Sequence, residues 1–359
     1  MSTCSLDEQE RVTTIGKAVS LLPLDPRIGR IILLGCICGC GPSVLATSAA
    51  MGYRDPFVMP VNDQQRAAGN AAKARLTQGH PSDQIALLKA LEGFSSQRAY
   101  QFCDDNYLSS SVMNYLKDLI QQLIQTLRES GVNTTQAYAQ RNNGNMPLLM
   151  SIISIGLYPD IGVRQEGKLP FILEKGRKAK IHPSSVNAKS AQFRNACKGG
   201  MDLVGYQDLV SVPNVVPGGT GLLMLNTTPM SVFSLLLTCG IIREVKSEDS
   251  DTVVLEIDGW VMLKIPISVL NLVKHSRETI ASAMDAFLSA PDKPLPLSLS
   301  RGMDTIAQAM AYEQPAASAA QDDYKGNTRQ SNSGYDKGYA GRDEQRGGSG
   351  GRGRGAKYR

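Results

Sequence analysis

The chain has 359 residues, 42% of them hydrophobic, and a formal net charge of +5, enough length for two ordinary folded domains and a tail. Its odd count of seven cysteines speaks against a disulfide framework and for free thiols in a reducing compartment, nucleus or cytoplasm. The acidic start, with Asp7, Glu8 and Glu10, excludes a secretory signal.

The first legible feature is Leu21-Leu22-Pro23-Leu24-Asp25-Pro26-Arg27-Ile28-Gly29-Arg30. Each proline pushes the residue before it out of helical space, which predicts an extended elbow between two helices and a domain boundary near residue 29. The uncharged run over residues 31–51 is long enough to cross a bilayer, but Gly41-Pro42-Ser43 breaks it and small residues dilute it. Two short buried helices are expected there, and no membrane contact. Cys36, Cys38 and Cys40 lie in this run. A spacing of two spreads them around a helix, and no histidine stands nearby to complete four ligands, so no metal site is expected.

Residues 30–132 read as helical throughout. Ser82-Asp83 predicts the start of a helix carrying Ile85, Leu87, Leu88 and Leu91, with Gly93 as its stop. The longest helix is expected to start at residues 109–111 and end at Gly131, with Val112, Leu116, Leu119, Ile120, Leu123 and Leu127 on its apolar side. Lys117, Asp118, Gln121, Gln122, Gln125 and Arg128 form the other side, either a solvated face or one wall of a nucleic-acid channel. A polar linker is expected over residues 133–146.

From residue 147 a short helix gives way to strand signals around residues 161–163, 171–173, 178–182, 222–225, 232–237, 241–242, 253–257 and 261–265, with Asp258-Gly259 as a two-residue turn. An amphipathic helix over 268–289 follows. Short strands and one helix over 147–290 suit a small five-stranded barrel, the oligonucleotide-binding (OB) fold, decorated with extra strands. Residues 291–359 are poor in hydrophobic side chains and predict a disordered tail. Within it Tyr324, Tyr335, Tyr339 and Tyr358 interleave with Arg342, Arg346, Arg352 and Arg354, an RGG-type arm suited to phosphates and bases.

Catalysis is not supported by these residues. The GxxxxGK[ST] phosphate cradle is missing, and Gly218-Gly219-Thr220-Gly221 lacks the lysine that would follow. His80, His182 and His275 stand far apart, and no Gly-x-Ser-x-Gly elbow supplies a nucleophile. No cofactor is expected. The chemistry on offer is a cationic hairpin, where Lys175, Arg177, Lys178, Lys180 and His182 precede the hydroxyls of Ser184 and Ser185. Cations neutralise phosphates while hydroxyls and a histidine hydrogen-bond sugars or bases, which suits a single strand crossing a barrel face. Strand alternation puts Lys178, Lys180 and His182 on one side, Arg177 on the other, and Ile181 into the barrel.

The elbow, together with Thr13-Thr14-Ile15-Gly16-Lys17 before it, resembles the junction of DEAH-box (DExH) RNA helicases where a winged helix passes into a helical, ratchet-like domain. The resemblance continues through Phe102-Cys103-Asp104-Asp105-Asn106-Tyr107-Leu108, Gly156-Leu157-Tyr158-Pro159-Asp160, Ile181-His182-Pro183-Ser184-Ser185-Val186-Asn187, Asn226-Thr227-Thr228 and Asp258-Gly259-Trp260, covering residues 13–288. The family usually has Ser-Asp-His where this chain has Ser82-Asp83-Gln84, an arginine near Gln121 or Gln122, and a lysine near Asp208.

The resemblance implies a multidomain α+β chain: a winged-helix remnant over 1–29, an all-helical ratchet-like domain over 30–132, a linker, an OB-fold over 147–290 and the tail. It implies the RNA-binding C-terminal region of an ATP-dependent helicase, whose motor would use ATP and magnesium while this region holds single-stranded RNA. The other reading is an interaction subunit that docks on a separate helicase motor or regulatory protein. In both, the chain itself is not expected to be catalytic.

Overall fold

The computed structural model describes residues 20–314, apart from 21, 23, 96–97, 133, 135–136, 166–169, 189–200, 217–218, 239, 246–250 and 292. The expected RNA-contacting residues Arg342, Arg346, Arg352 and Arg354 lie outside the described residues, as does the Thr13–Lys17 motif.

Helix α1 (Pro26–Cys38) opens where the prolines predict an elbow. Asp25 has ψ 135°, and its carboxylate accepts from the Arg27 N–H at 2.8 Å. Extended backbone thus stops at Asp25, and Pro26 starts the helix, a position that tolerates its missing N–H and its fixed φ. Helix α2 (Gly41–Met51) follows after a left-handed Gly39, so the uncharged run is two buried helices. Cys36, Cys38 and Cys40 are buried free thiols that act as small apolar fillers, and burial pushes Cys36 and Cys40 up to about 12. Among the described residues no helix is long and apolar enough to cross a membrane.

Helices α3 (Asp63–Leu76), α4 (Asp83–Phe94), α5 (Ala99–Asp105) and α6 (Ser110–Glu129) complete the first helical layer. Ser82 and Ser109 cap α4 and α6, accepting from the N–H groups of Ile85 and Val112. Along α6, Met113, Leu116, Leu119, Leu123 and Leu127 are buried at helical spacing while the amide-rich side faces water.

The expected polar linker does structural work. Helix α7 (Ala137–Gln140) leads into Arg141 and Asn142, whose side chains donate to the carbonyls of Ile37 and Cys38 at 2.8 and 2.7 Å. These are carbonyls that the end of α1 leaves without helical partners. Helix α8 (Met146–Leu157) then runs through the middle of the helical core, with all but one of its residues buried. It crosses α1 so closely that a Cβ on Gly156 would lie 1.8 Å from Ile31 Cγ1, which leaves room only for glycine there.

Strands β1 (Ile161–Gln165), β2 (Phe171–Ile172), β3 (Lys178–Ile181), β4 (Met201–Val216) and β5 (Gly219–Met230) close into a barrel in the order β1-β2-β3-β5-β4. Strands β3 and β5 run parallel, with Ala179 opposite Leu222 and Ile181 opposite Met224; the other barrel pairs are antiparallel. Phe171, Leu173, Ala179, Val204, Tyr206 and Met224 fill it. Strands β6 (Ile242–Val245), β7 (Thr252–Ile257) and β8 (Val261–Pro266) form a separate antiparallel sheet. Its last turn has positive φ at Asp258 and Gly259 and takes in Trp260, whose N–H donates to the Ile257 carbonyl.

Two further segments differ from expectation. Residues 232–237 read as a strand, yet Val232–Thr238 is helix α9, capped by Ser231 Oγ accepting from the Ser234 N–H at 3.0 Å. Leu235, Leu236 and Leu237 are all buried, so a run apolar on every side is satisfied by a helix packed all round. Composition predicts a tail from residue 291, but Leu297–Glu313 is a helix, α11, with Met303, Ile306, Ala307 and Met310 buried. Ser151 donates to the Met310 carbonyl and Arg141 pairs with Asp304, which fixes α11 against α8 and the end of α1. Between them α10 (Ile267–Ser289) is shared: Leu270 and Val273 lie under the β6–β8 sheet, whereas Ala283, Met284 and Phe287 enter the helical core.

Candidate nucleic-acid interface

The hairpin from β2 to β3 turns through Glu174–Gly176, where Lys175 and Gly176 take left-handed φ of 61° and 68°. The Leu173 N–H donates to the Arg177 carbonyl at 2.8 Å and closes the turn. Beyond it the pleat sorts the side chains as the alternation predicts. Lys178 and Lys180 are exposed, Ala179 is buried in the barrel, and Ile181 is half-buried against the same core. Lys175 and Arg177 are exposed at the turn.

His182 follows β3 and is half-buried. Its own N–H donates to the Met224 carbonyl at 2.9 Å. The Ser184 N–H donates to His182 Nδ1 at 3.1 Å, and the Ser184 hydroxyl is 2.7 Å from the same nitrogen. The ring proton therefore sits on Nε2, which is left as a donor. Burial, with the Lys73 charge adding to it against the opposing Asp83, holds His182 below its ordinary value, so the ring is neutral at pH 7.

Ser185 is elsewhere. The sequence groups it with Ser184 as a strand contact, but its side chain is buried and donates to Asp83 Oδ2 at 2.5 Å. Asp83 is the hub of a closed network. It also accepts from the Thr227 N–H at 2.8 Å and the Val186 N–H at 3.1 Å, and pairs with Lys73 at 2.8 Å. The Lys73 and Asp83 side chains are 3% and 0% exposed. Lys73 Nζ also lies 5.2 Å from the centre of the Phe57 ring. Burial works against the Asp83 charge, but Lys73 and the donors from Ser185 and Thr227 outweigh it and hold the carboxyl below the ordinary range. Burial likewise opposes the Lys73 charge, and Asp83 and Asp55 more than restore it.

Neighbours of Asp83 extend the grip. Ser82 Oγ is 2.6 Å from Thr228 Oγ1, Thr228 Oγ1 donates to Gln84 Oε1, and Gln84 Nε2 donates to the Asn226 carbonyl at 2.6 Å. Asn187 Nδ2 reaches the Thr227 carbonyl at 3.1 Å. Ser82-Asp83-Gln84, at the start of α4, thus holds both β5 and the loop after β3. A second link joins Arg27 of α1 to Asp160 before β1.

From the sequence, Asp83 reads as a helix-start residue and Lys73 does not stand out. An ordinary cap explains Ser82-Asp83, and nothing in the polar α3 marks one lysine for burial. The available signal is the set of motifs itself: Ser82-Asp83, Ser184-Ser185 and Thr227-Thr228, remote in sequence, meet at this one place.

The family described as "Helicase associated domain (HA2), ratchet-like" matches residues 25–90, from the Asp25 cap through most of α4. The chain resembles the C-terminal region of the DExH-box helicases. The ATP-dependent DNA/RNA helicase DHX36 of Bos taurus is 26% identical over 312 residues, 81% of this chain and 29% of that protein. The DExH-box ATP-dependent RNA helicase DExH1 of Arabidopsis thaliana is 27% identical over 296 residues, 80% of this chain and 28% of that protein. The ATP-dependent RNA helicase dhx29 of Xenopus laevis is 27% identical over 320 residues, 82% of this chain and 22% of that protein. The chain thus spans less than a third of the length of these relatives.

Proposed function

We propose that this helicase-associated region is an RNA-holding accessory module, that its closed barrel is an OB-fold, and that single-stranded RNA crosses the β3 face in a nuclear or cytoplasmic setting. Lys178 and Lys180 neutralise phosphates, His182 Nε2–H donates to a sugar or base, Ser184 orients that ring, and Arg177 and Lys175 extend the charge around the turn. The Arg342, Arg346, Arg352 and Arg354 arm adds affinity without sequence preference. ATP and magnesium belong to the motor that this region serves; by its own residues the region binds and does not hydrolyse.

The observation that carries the reading is the sorting along β3. Two lysines project into water from a strand whose intervening Ala179 is locked in the barrel, so the cationic row is set by the barrel's own pleat. Titrating single-stranded RNA against wild type and Lys178→Ala/Lys180→Ala tests it. The double variant should unfold within about 0.5 kcal/mol of wild type, since exposed charges contribute little. Its log K against log salt should be shallower by roughly 0.7 for each phosphate that is no longer neutralised. Equal affinity and equal slope would remove this face from the RNA path.

A further inference from the structure

The water-facing side of α6 carries a feature that the barrel site does not use. Tyr115 on α6 and Tyr53, just past the end of α2, are stacked with ring centroids 4.1 Å apart and planes 24° from parallel. Both remain accessible, Tyr115 at 48% and Tyr53 at 38%. The other ring pair among the described residues, Tyr138 with Phe287, is edge-on with Phe287 fully buried, as a core contact should be. The Tyr53–Tyr115 pair is a surface feature.

We propose that this stacked pair is a platform for an unpaired nucleobase of single-stranded RNA, a second contact point that rests on the single-strand reading above. The two rings come from different helices, and each is anchored from below: Met51 precedes Tyr53 into the core, and Met113 and Leu116 flank Tyr115 with no exposure. Stacked on each other, the rings are held in place before a base arrives, which removes part of the ordering cost of binding. An aromatic face that is both rigid and wet suits a base, because every base offers a π-face of its own.

The surroundings point the same way. Arg54 follows Tyr53 directly and is exposed, a cation of the kind that pairs with backbone phosphates. Around Tyr115 the exposed face of α6 offers Ser111, Asn114, Lys117, Asp118, Gln121 and Gln122, mostly neutral donors and acceptors of the kind that meet base edges and sugars. A surface reserved for an apolar protein partner would instead carry Leu, Ile or Met along this row.

The test compares intact single-stranded RNA with an abasic strand of the same backbone, using the full chain and fluorescence anisotropy. Tyr115→Ala and Tyr53→Ala should each weaken binding of the intact strand on the order of tenfold, the usual range for removing one base stack. Tyr115→Phe, which keeps the ring, should bind as wild type. Tyr115→Leu, which keeps apolar bulk without a π-face, should behave like Tyr115→Ala and guards against a loss caused by altered packing. Against the abasic strand all four variants should match wild type.

Unchanged affinity of the alanine variants for the intact strand, or an equal loss with the abasic strand, overturns the platform. Lys178→Ala/Lys180→Ala run in parallel separates the two ideas, since it should weaken intact and abasic strands alike. If that variant loses affinity and the tyrosine variants do not, the barrel face stands and the platform falls. If wild type binds neither strand, both fall together.

Discussion

Ser184 and Ser185 are neighbours in one short loop, and the regions they serve are opposites. Ser184 steers His182 beside the exposed lysines of β3, where water surrounds every charge. Ser185 points inward to an Asp83 carboxylate that has no exposure at all. On the outer face, charge is solvated and free to meet a ligand. In the inner network, the same kinds of groups must satisfy each other completely, because an unpaired charge there has no water to fall back on. The loop therefore divides one family-like motif, Ile181–Asn187, between binding and joining, and a substitution's effect should depend on which side it falls.

The largest expected effect is on the inner side. Asp83→Ala strands Lys73 without its partner and leaves the N–H groups of Thr227 and Val186 unpaired, so unfolding in urea should show a loss of about 3–5 kcal/mol. Lys73→Met should cost less, since Asp83 keeps its donors. The double variant should cost less than the sum of the two, by about 0.5–3 kcal/mol for groups in direct contact. Strict additivity would mean that the pair is not coupled, and the contrast between the two regions would collapse.

A smaller effect separates the two serines. Ser185→Ala removes a donor to a buried carboxylate and should cost about 1–3 kcal/mol, whereas Ser184→Ala, on the half-exposed ring, should stay within about 0.5 kcal/mol. Equal losses from the two, read by thermal or urea unfolding, would show that the loop is not divided as described.

The subtlest expectation concerns acid. The folded state holds Asp83 below the ordinary carboxylate value, so its contribution is fully present above that ordinary value, about 3.9, and is lost as pH falls through the lower folded one. Wild type and Asp83→Asn should therefore differ most in stability near neutral pH and converge in strong acid. A gap independent of pH would mean that the charge of Asp83 adds nothing beyond its shape.

What could be read directly from the sequence was whatever depends on near neighbours. The Ser109 cap and the apolar rows of α6 follow from helical spacing, and the Lys178–Ala179–Lys180 alternation follows from the pleat. The two buried helices in the uncharged run follow from Gly41 and Pro42. Each is local, because the competing conformations differ within a few residues. The misreadings share the opposite character. A seven-residue apolar run, Val232–Thr238, is equally consistent with a strand or a buried helix until its surroundings are known. Leu297–Glu313 carries Met303, Ile306 and Met310 at helical spacing, but a lone helix of this length is marginal in water, and it is held by packing against α8 and α10.

The candidate site divides along the same line. Composition and alternation by themselves determined that a cationic row lies on one side of β3, because a strand's period of two needs no knowledge of the rest of the chain. Only the tertiary structure decided that Ser185 turns inward, that Lys73 is buried, and that Ser82-Asp83-Gln84 holds the barrel to the helical layer. Burial is a property of what packs on top of a residue, and Ser185, Val186 and Thr227, which close over Asp83, each lie more than a hundred positions from it along the chain.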